Sequence, residues 1–225
     1  MKSIFITGTD TGIGKTFISV LLMQLLNAHK FKTFGIKPIA SGCTVDVNGN
    51  LVNDDALALQ YAATIKRDYS VVNPIALKEA IAPHIAARYD KIALTAELVS
   101  TKLSHSIQAA ADINIIEGVG GWLVPLNDKE LLADVICALH IPVALVVGVK
   151  LGCLNHAILT AKMIKASQVP FIGWVANCID PDMAAAQENI AALKRWIPSP
   201  YLGTVPYGAS PTPDFIDMKH IIDCG

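Results

Sequence analysis

Charge of one sign is what this 225-residue sequence most plainly lacks: 18 Lys and Arg against 19 Asp and Glu leave a formal net charge of −1. Nucleic-acid-binding domains usually carry a basic excess or stripe, so no nucleic-acid partner is expected. Long apolar runs are missing too. Hydrophobic residues make up 52% of the chain, yet the longest run, Ile141 to Val149, has nine residues and includes Pro142. A bilayer span takes about 20 apolar residues, so no membrane helix is expected. The start, Met1-Lys2-Ser3-Ile4, leads into a strand-like run too short for the apolar core of a signal peptide, and a cytoplasmic location is the expectation. The five cysteines, Cys43, Cys137, Cys153, Cys178 and Cys224, are never spaced C-x-x-C. That excludes a zinc or disulfide framework and leaves them as small buried hydrophobes. Internal repeats, low-complexity tracts and linkers are also absent. The one composition shift, Pro198 to Pro213, lies near the end and reads as loops around a last strand. The length then fits one domain over residues 1–225.

What is present is alternation. Short β-branched runs at Ser3–Thr7, Thr33–Lys37, Ile113–Glu117, Val143–Gly148, Phe171–Ala176 and Leu202–Val205 read as strands. Helical patterns fill Lys15–Ala28, Asp55–Ala63, Ala93–Ala110, Lys129–His140, Asn155–Ser167 and Asp182–Trp196. This predicts an α/β fold: a doubly wound, mostly parallel sheet with helices on both faces. The unbroken apolar character of 143–148 and 171–176 suits strands buried on both sides. Ligands of open α/β sheets bind beyond the carboxyl ends of the strands, so the chemistry is sought there.

After the first strand stands Gly8-Thr9-Asp10-Thr11-Gly12-Ile13-Gly14-Lys15-Thr16, followed by Phe17 and an apolar helix. A glycine turn opening a helix aims backbone N–H groups at one point, which the helix dipole makes favourable for phosphate. Lys15 then reaches the β- and γ-phosphates, and the Thr16 hydroxyl a Mg²⁺ position. The spacing is G-x5-G-K-T, one residue longer than the usual phosphate loop. The second strand ends in Lys37-Pro38-Ile39-Ala40-Ser41-Gly42, where Lys37 reads alone as a surface lysine but, at a strand end beside a nucleotide site, as one directed toward the phosphate cradle, and Ser41-Gly42 can also be read as a turn. In Asn53-Asp54-Asp55 a helix cap competes with metal binding, and spacing does not choose between Asp54 and Asp55. In Glu117-Gly118-Val119-Gly120-Gly121-Trp122 a carboxylate meets a glycine loop where a P-loop ATPase needs an acid for Mg²⁺. A buried Glu117 requires a cation partner. The helix start at Gly152-Cys153-Leu154-Asn155 is suited to an anion, or is a plain start capped by Asn155, with His156 as a packing or capping residue. At the last strand ends lie Asn177-Cys178 and Pro206-Tyr207-Gly208, where a base can be held.

With these segments assembled, the chain resembles the dethiobiotin synthetases, a family of the P-loop NTPase superfamily. The resemblance runs through Thr7–Thr16, Lys37–Gly42, Asn53–Leu57, Asn73-Pro74, Ala82-Pro83-His84, Glu117–Trp122, Val147–His156 and Gly173–Asn177, and the longer phosphate-loop spacing is the family's form. It implies an ATP- and Mg²⁺-dependent ligase of biotin biosynthesis. Carbon dioxide, or bicarbonate, and 7,8-diaminononanoate form a carbamate, ATP phosphorylates it, and the second amine closes the ring. It further implies that Lys15, Lys37 and Thr11 act at the reacting groups, and that Thr16, Asp55 and Glu117 surround Mg²⁺. Gly12, Ile13, Gly14, Lys15, Thr16, Phe17, Asp55 and the Glu117-Gly118-Val119-Gly120 loop would bind ATP. Asn177, Cys178, Pro206, Tyr207 and Gly208 would hold its base. Thr11, Lys37 and Ser41 would contact the diamine or carbamate, while Gly152, Cys153, Leu154 and Asn155 would receive the substrate carboxylate across a homodimer interface. The family also uses a tyrosine for that carboxylate near the position occupied here by Asn189.

A partitioning- or division-site ATPase switch shares this architecture. Such proteins typically carry a further lysine early in the phosphate loop, and none stands between Gly8 and Gly14. The tail 214–223 is acidic on balance, unlike a basic membrane-targeting helix. An amide-forming ligase of the cobyrinate amidase type would need a glutaminase domain that this length does not hold.

Overall fold

Apolar β-branched runs separated by amphipathic ones produce a sheet whose strands are joined by helices. The computed structural model describes residues 2–209 and 215–223. In chain order the strands are β1 (Lys2–Gly8), β2 (Thr33–Ile36), β3 (Ile39–Ala40), β4 (Thr44–Val45), β5 (Leu51–Val52), β6 (Ile75–Ala76), β7 (Ile113–Glu117), β8 (Val143–Val149), β9 (Phe171–Cys178) and β10 (Tyr201–Val205). The helices are α1 (Lys15–Ala28), α2 (Asp54–Ala62), α3 (Tyr69–Val72), α4 (Pro83–Tyr89), α5 (Ala96–Ser106), α6 (Leu132–Ala138), α7 (Cys153–Ala166), α8 (Ala186–Trp196) and α9 (Lys219–Asp223).

Six strands form one sheet in the order β10-β9-β8-β1-β7-β2. Every pairing in it is parallel. Every residue of β7 and β8 is buried, as are Ile4, Phe5 and Ile6 of β1. Successive side chains of a strand point to opposite faces, so both faces of the sheet are covered, as the sequence predicts. The strand order places β1 between β7 and β8, and the chain reaches opposite sides of β1 before and after β7. This brings the ends of β1, β2 and β7 together.

Helix α1 spans the expected residues, while other bounds moved for local reasons. Asn53 caps α2, its side chain accepting from the Ala56 N–H at 3.3 Å, so Asp54 is the first helical residue and not the cap. Thr95 caps α5 by accepting from the Leu98 N–H at 3.1 Å, which excludes Ala93 and Leu94 from that helix. Gly152, at φ 91°, opens α7 two residues before the expected start, so Asn155 is not its cap. Residues 182–185 stand outside α8, which follows Ala185 at φ 55°. Strands β3 to β6 and helices α3, α4 and α9 were not foreseen. Pieces of two to seven residues are too short to display a period.

Candidate active site

The phosphate loop owes its course to glycine at one position above all. Gly14 has φ 83°, and a Cβ there would collide with Asn177 Nδ2. That amide donates to the Ile13 carbonyl at 2.8 Å, fastening the loop to the end of β9. The Ile13 side chain is fully buried beneath the loop. Lys15, 7% exposed, folds back so that Nζ donates to the Asp10 carbonyl at 2.9 Å. Burial first, and then the like charge of Lys37, lowers its pKa to about 8 despite Glu117 and Asp55. A bound phosphate would offer this lysine the anion its surroundings only partly supply.

Lys37 follows β2 directly, and its ammonium lies 2.5 Å from Glu117 Oε1, 3.0 Å from Asp55 Oδ2 and 3.2 Å from the Gly118 carbonyl. It is 3% exposed and Glu117 is fully buried. The cation partner that a buried glutamate requires is thus Lys37. Burial disfavours the charged lysine, but the two carboxylates outweigh it and hold its pKa above the ordinary value. Asp55 is affected conversely: burial raises it, and Lys37 with the Thr16 hydroxyl brings it below the usual carboxylate range. Thr16 Oγ1 lies 2.7 Å from Asp55 Oδ1 and 2.9 Å from Glu117 Oε1, and with one proton it donates to one of them at a time.

Thr16 therefore touches both Asp55 and Glu117, with Asp55 and not exposed Asp54 turned into the site. Glu117 Oε2 is buried without a hydrogen-bond partner. Two carboxylates and a hydroxyl are hard oxygen donors, and Mg²⁺ is commonly held by one or two carboxylates together with substrate phosphates and water. The residues fit that ion. Among the described residues no group of three or more His, Cys, Asp or Glu gathers as an all-protein metal cage.

A cavity of about 770 Å³ opens over these groups. Of the expected site residues it brings together Thr11, Gly12, Gly14, Lys15, Thr16, Phe17, Lys37, Ser41, Asp55, Glu117, Val119 and Gly120. The Ser41 hydroxyl is buried without a partner, as a group awaiting a ligand would be. The walls also include Asn53, read from sequence only as part of a capping segment, and residues 80–83, to which the sequence reading gave no role. The stretch Ala82-Pro83-His84 signalled them only through the resemblance.

Other expected residues lie outside this cavity. Ile13 and Gly118 back it through main-chain contacts, Gly118 N–H donating to the Ile6 carbonyl at 2.9 Å. Asn177 and Cys178 end β9, and Pro206, Tyr207 and Gly208 form an exposed loop after β10, with Tyr207 59% exposed. Gly152, Cys153, Leu154 and Asn155 stand at the start of α7, which no side chain caps. The Cys153 N–H donates to the Lys150 carbonyl at 2.9 Å, which leaves the later amides of that turn for an anion. Asn189, half-buried in α8, spends an amide proton on the Ala185 carbonyl at 2.8 Å. Lys150 pairs with Asp10 at 3.3 Å, and the Thr11 N–H donates to Asp10 at 2.8 Å, tying β8 to the loop. Cys43 and Cys153 are buried, and Cys137 and Cys178 half-buried, all with free thiols. Cys224 lies outside the described residues.

Residues 2–213 match a family model described as an AAA domain. The chain is 48% identical over 205 residues to the ATP-dependent dethiobiotin synthetase BioD of Cellvibrio japonicus, covering 91% of this chain and 89% of that protein. It is 44% identical over 223 residues to the protein of that name from Pseudoalteromonas translucida, covering 99% and 97%. Among solved structures it resembles the septum site-determining protein MinD complexed with Mg-ADP from Pyrococcus horikoshii (TM-score 0.55, 16% identity, 91% of this chain and 81% of that one). It also resembles a ParA family ATPase from Chlorobium tepidum (TM-score 0.52, 15% identity, 91% and 84%). At such identities the structural likeness concerns the fold alone.

Proposed function

The chain belongs to the ATP-dependent dethiobiotin synthetase family, and from that premise we propose that its cavity closes the ureido ring on 7,8-diaminononanoate. It is an ATP-dependent ligase of biotin biosynthesis. In the reading proposed, one amine adds to carbon dioxide to give a carbamate, whose oxygen takes the γ-phosphoryl group. The second amine then attacks the carbamoyl carbon, phosphate leaves, and the C–N bond closes the ring.

The observation that carries this reading is Lys37. A phosphate loop needs one lysine, and Lys15 is that lysine. Lys37 is a second buried ammonium beside it, from another strand end, facing a cavity that extends to Ser41 and residues 80–83. Ligand pockets span roughly 300–1,000 Å³, and this volume exceeds what phosphates alone require. Lys37 is placed to release its carboxylates and neutralise the carbamate and the transferring phosphoryl group, the electrostatic service such transfers chiefly ask of a protein. Lys15 holds the β- and γ-phosphates, and Thr11 and Ser41 contact the carbamate and diamine. Thr16, Asp55 and Glu117 would hold Mg²⁺, which would supply positive charge to offset that of the phosphates. Asn177 and Cys178, with Pro206, Tyr207 and Gly208, would flank the base.

The carboxylate of a long diamino acid lies far from the reacting amines, and the reading assigns it to the α7 N-terminus of a second copy. Exposed apolar side chains around that helix support this: Leu151 is 91% exposed, Leu159 55%, Leu123 48% and Met163 41%. No helix of the described residues is long and apolar enough to cross a membrane. The decisive test incubates the protein with Mg²⁺, ATP, bicarbonate and 7,8-diaminononanoate and weighs the product. Dethiobiotin should appear with ADP. ATP hydrolysis that proceeds equally without the diamine would favour a switch ATPase instead.

A further inference from the structure

Lys37 is followed by Pro38, which offers no N–H to a neighbouring strand. Its main chain is held by one adjacent segment. The Lys37 N–H donates to the Val72 carbonyl at 2.8 Å, and the Lys37 carbonyl accepts from Asn73 Nδ2 at 2.6 Å. Asn73 is 3% exposed, and its Nδ2 also lies 3.4 Å from the Ile75 carbonyl. Its Oδ1 accepts from the Tyr69 hydroxyl at 3.1 Å. That hydroxyl in turn accepts from the Asn53 N–H at 2.8 Å. Asn53 is the cap of α2, two residues before Asp55.

We propose that Tyr69 and Asn73 are positioning residues that lock the strand end carrying Lys37 to the helix cap carrying Asp55. The inference rests on the phosphoryl-transfer reading given above. The direction of every bond is fixed. A backbone N–H only donates, so the Tyr69 oxygen accepts from Asn53 and sends its single proton to Asn73 Oδ1. The Asn73 amide must then turn its NH₂ group to the Lys37 carbonyl. Neither residue lines the active cavity, so neither touches a reacting atom. Their effect passes through the spacing of the ammonium and the Asp55 carboxylate, now 3.0 Å. A displacement of about 1 Å at a catalytic group can cost on the order of 10² in rate.

Tyr69→Phe removes the hydroxyl and keeps the ring. In the full chain, dethiobiotin formation should fall about tenfold in kcat, with the KM for ATP changed by less than about twofold. The Mg²⁺ concentration that half-saturates nucleotide binding, measured without diamine, should rise, because Asp55 is no longer held in register. Asn73→Asp keeps an acceptor for Tyr69 but loses the donor to Lys37, and should lose more activity than Tyr69→Phe. Should Asn73→Asp fail to fold, Tyr69→Phe decides alone. A folded Tyr69→Phe protein with kcat and Mg²⁺ midpoint both within about twofold of wild type overturns the proposal, whatever its melting temperature. Wild-type protein that makes no dethiobiotin would refute the activity reading instead, and the Mg²⁺ midpoint would then decide the relay by itself.

Discussion

At the scale of the residue, one ammonium organises the site. Lys37 neutralises two carboxylates, one of them fully buried, so this strand-end lysine belongs to the buried structure as well as to the site. Removing one partner of a buried pair strands the other, at about 3–5 kcal/mol. Lys37→Ala should accordingly slow dethiobiotin formation by on the order of 10²–10³, the effect of losing one preorganised electrostatic donor, and should also lower the unfolding midpoint. The double variant Lys37→Ala/Glu117→Gln separates the two effects. It should regain most of the stability, seen by chemical denaturation, and none of the rate. A double variant as unstable as Lys37→Ala would mean that Glu117 is not the stranded charge. Asp55→Asn removes a charge from a half-exposed side chain, so activity and its Mg²⁺ dependence should collapse while stability changes little. Retained Mg²⁺-dependent turnover would remove Asp55 from the metal site.

At the scale of the element, function depends on how helices begin. Helix α2 starts one residue before the sequence reading, because Asn53, and not Asp54, supplies the capping oxygen. Both residue types cap well, so composition did not distinguish them, and the orientation of Asn53 is set by its main-chain bond to Tyr69. Asn53→Ala should cost about 1 kcal/mol of stability. Asp54→Ala, at an exposed first-turn position, should leave the unfolding midpoint and the activity essentially unchanged. Reversed results in thermal and kinetic assays would put the cap on Asp54. Helix α7 follows a different rule: Gly152 enters it at a positive φ, leaving its first turn without a side-chain cap. An uncapped N-terminus beside exposed Leu151 suits a ligand or partner carboxylate.

At the scale of the whole molecule, the proposed shared site yields a complementation test. Mixing Lys37→Ala with a variant disrupted at Gly152–Asn155 should give heterodimers holding one intact composite site of two. If half the dimers are mixed, about a quarter of wild-type sites return. Tagged chains must verify the exchange, and inactive verified heterodimers would show that each chain builds its own site. Leu151→Asp together with Leu159→Asp should yield monomers by light scattering, with activity lost in proportion. The sequence by itself determined the alternation of the six main-sheet strands with the longer helices, the phosphate loop with its lysine and threonine, and the carboxylate at the end of β7. Those features are local: burial on both faces forces unbroken apolar runs, and a glycine turn before a helix declares a phosphate site. Only the tertiary structure decided that Lys37 is the cation facing Glu117 and that residues 80–83 wall the cavity, and it turned inward Asp55, the acid that the resemblance favoured and spacing left open. Contacts across 80 residues of chain, as between Lys37 and Glu117, leave no periodic trace in a sequence. They exist because parallel strands from distant segments end side by side.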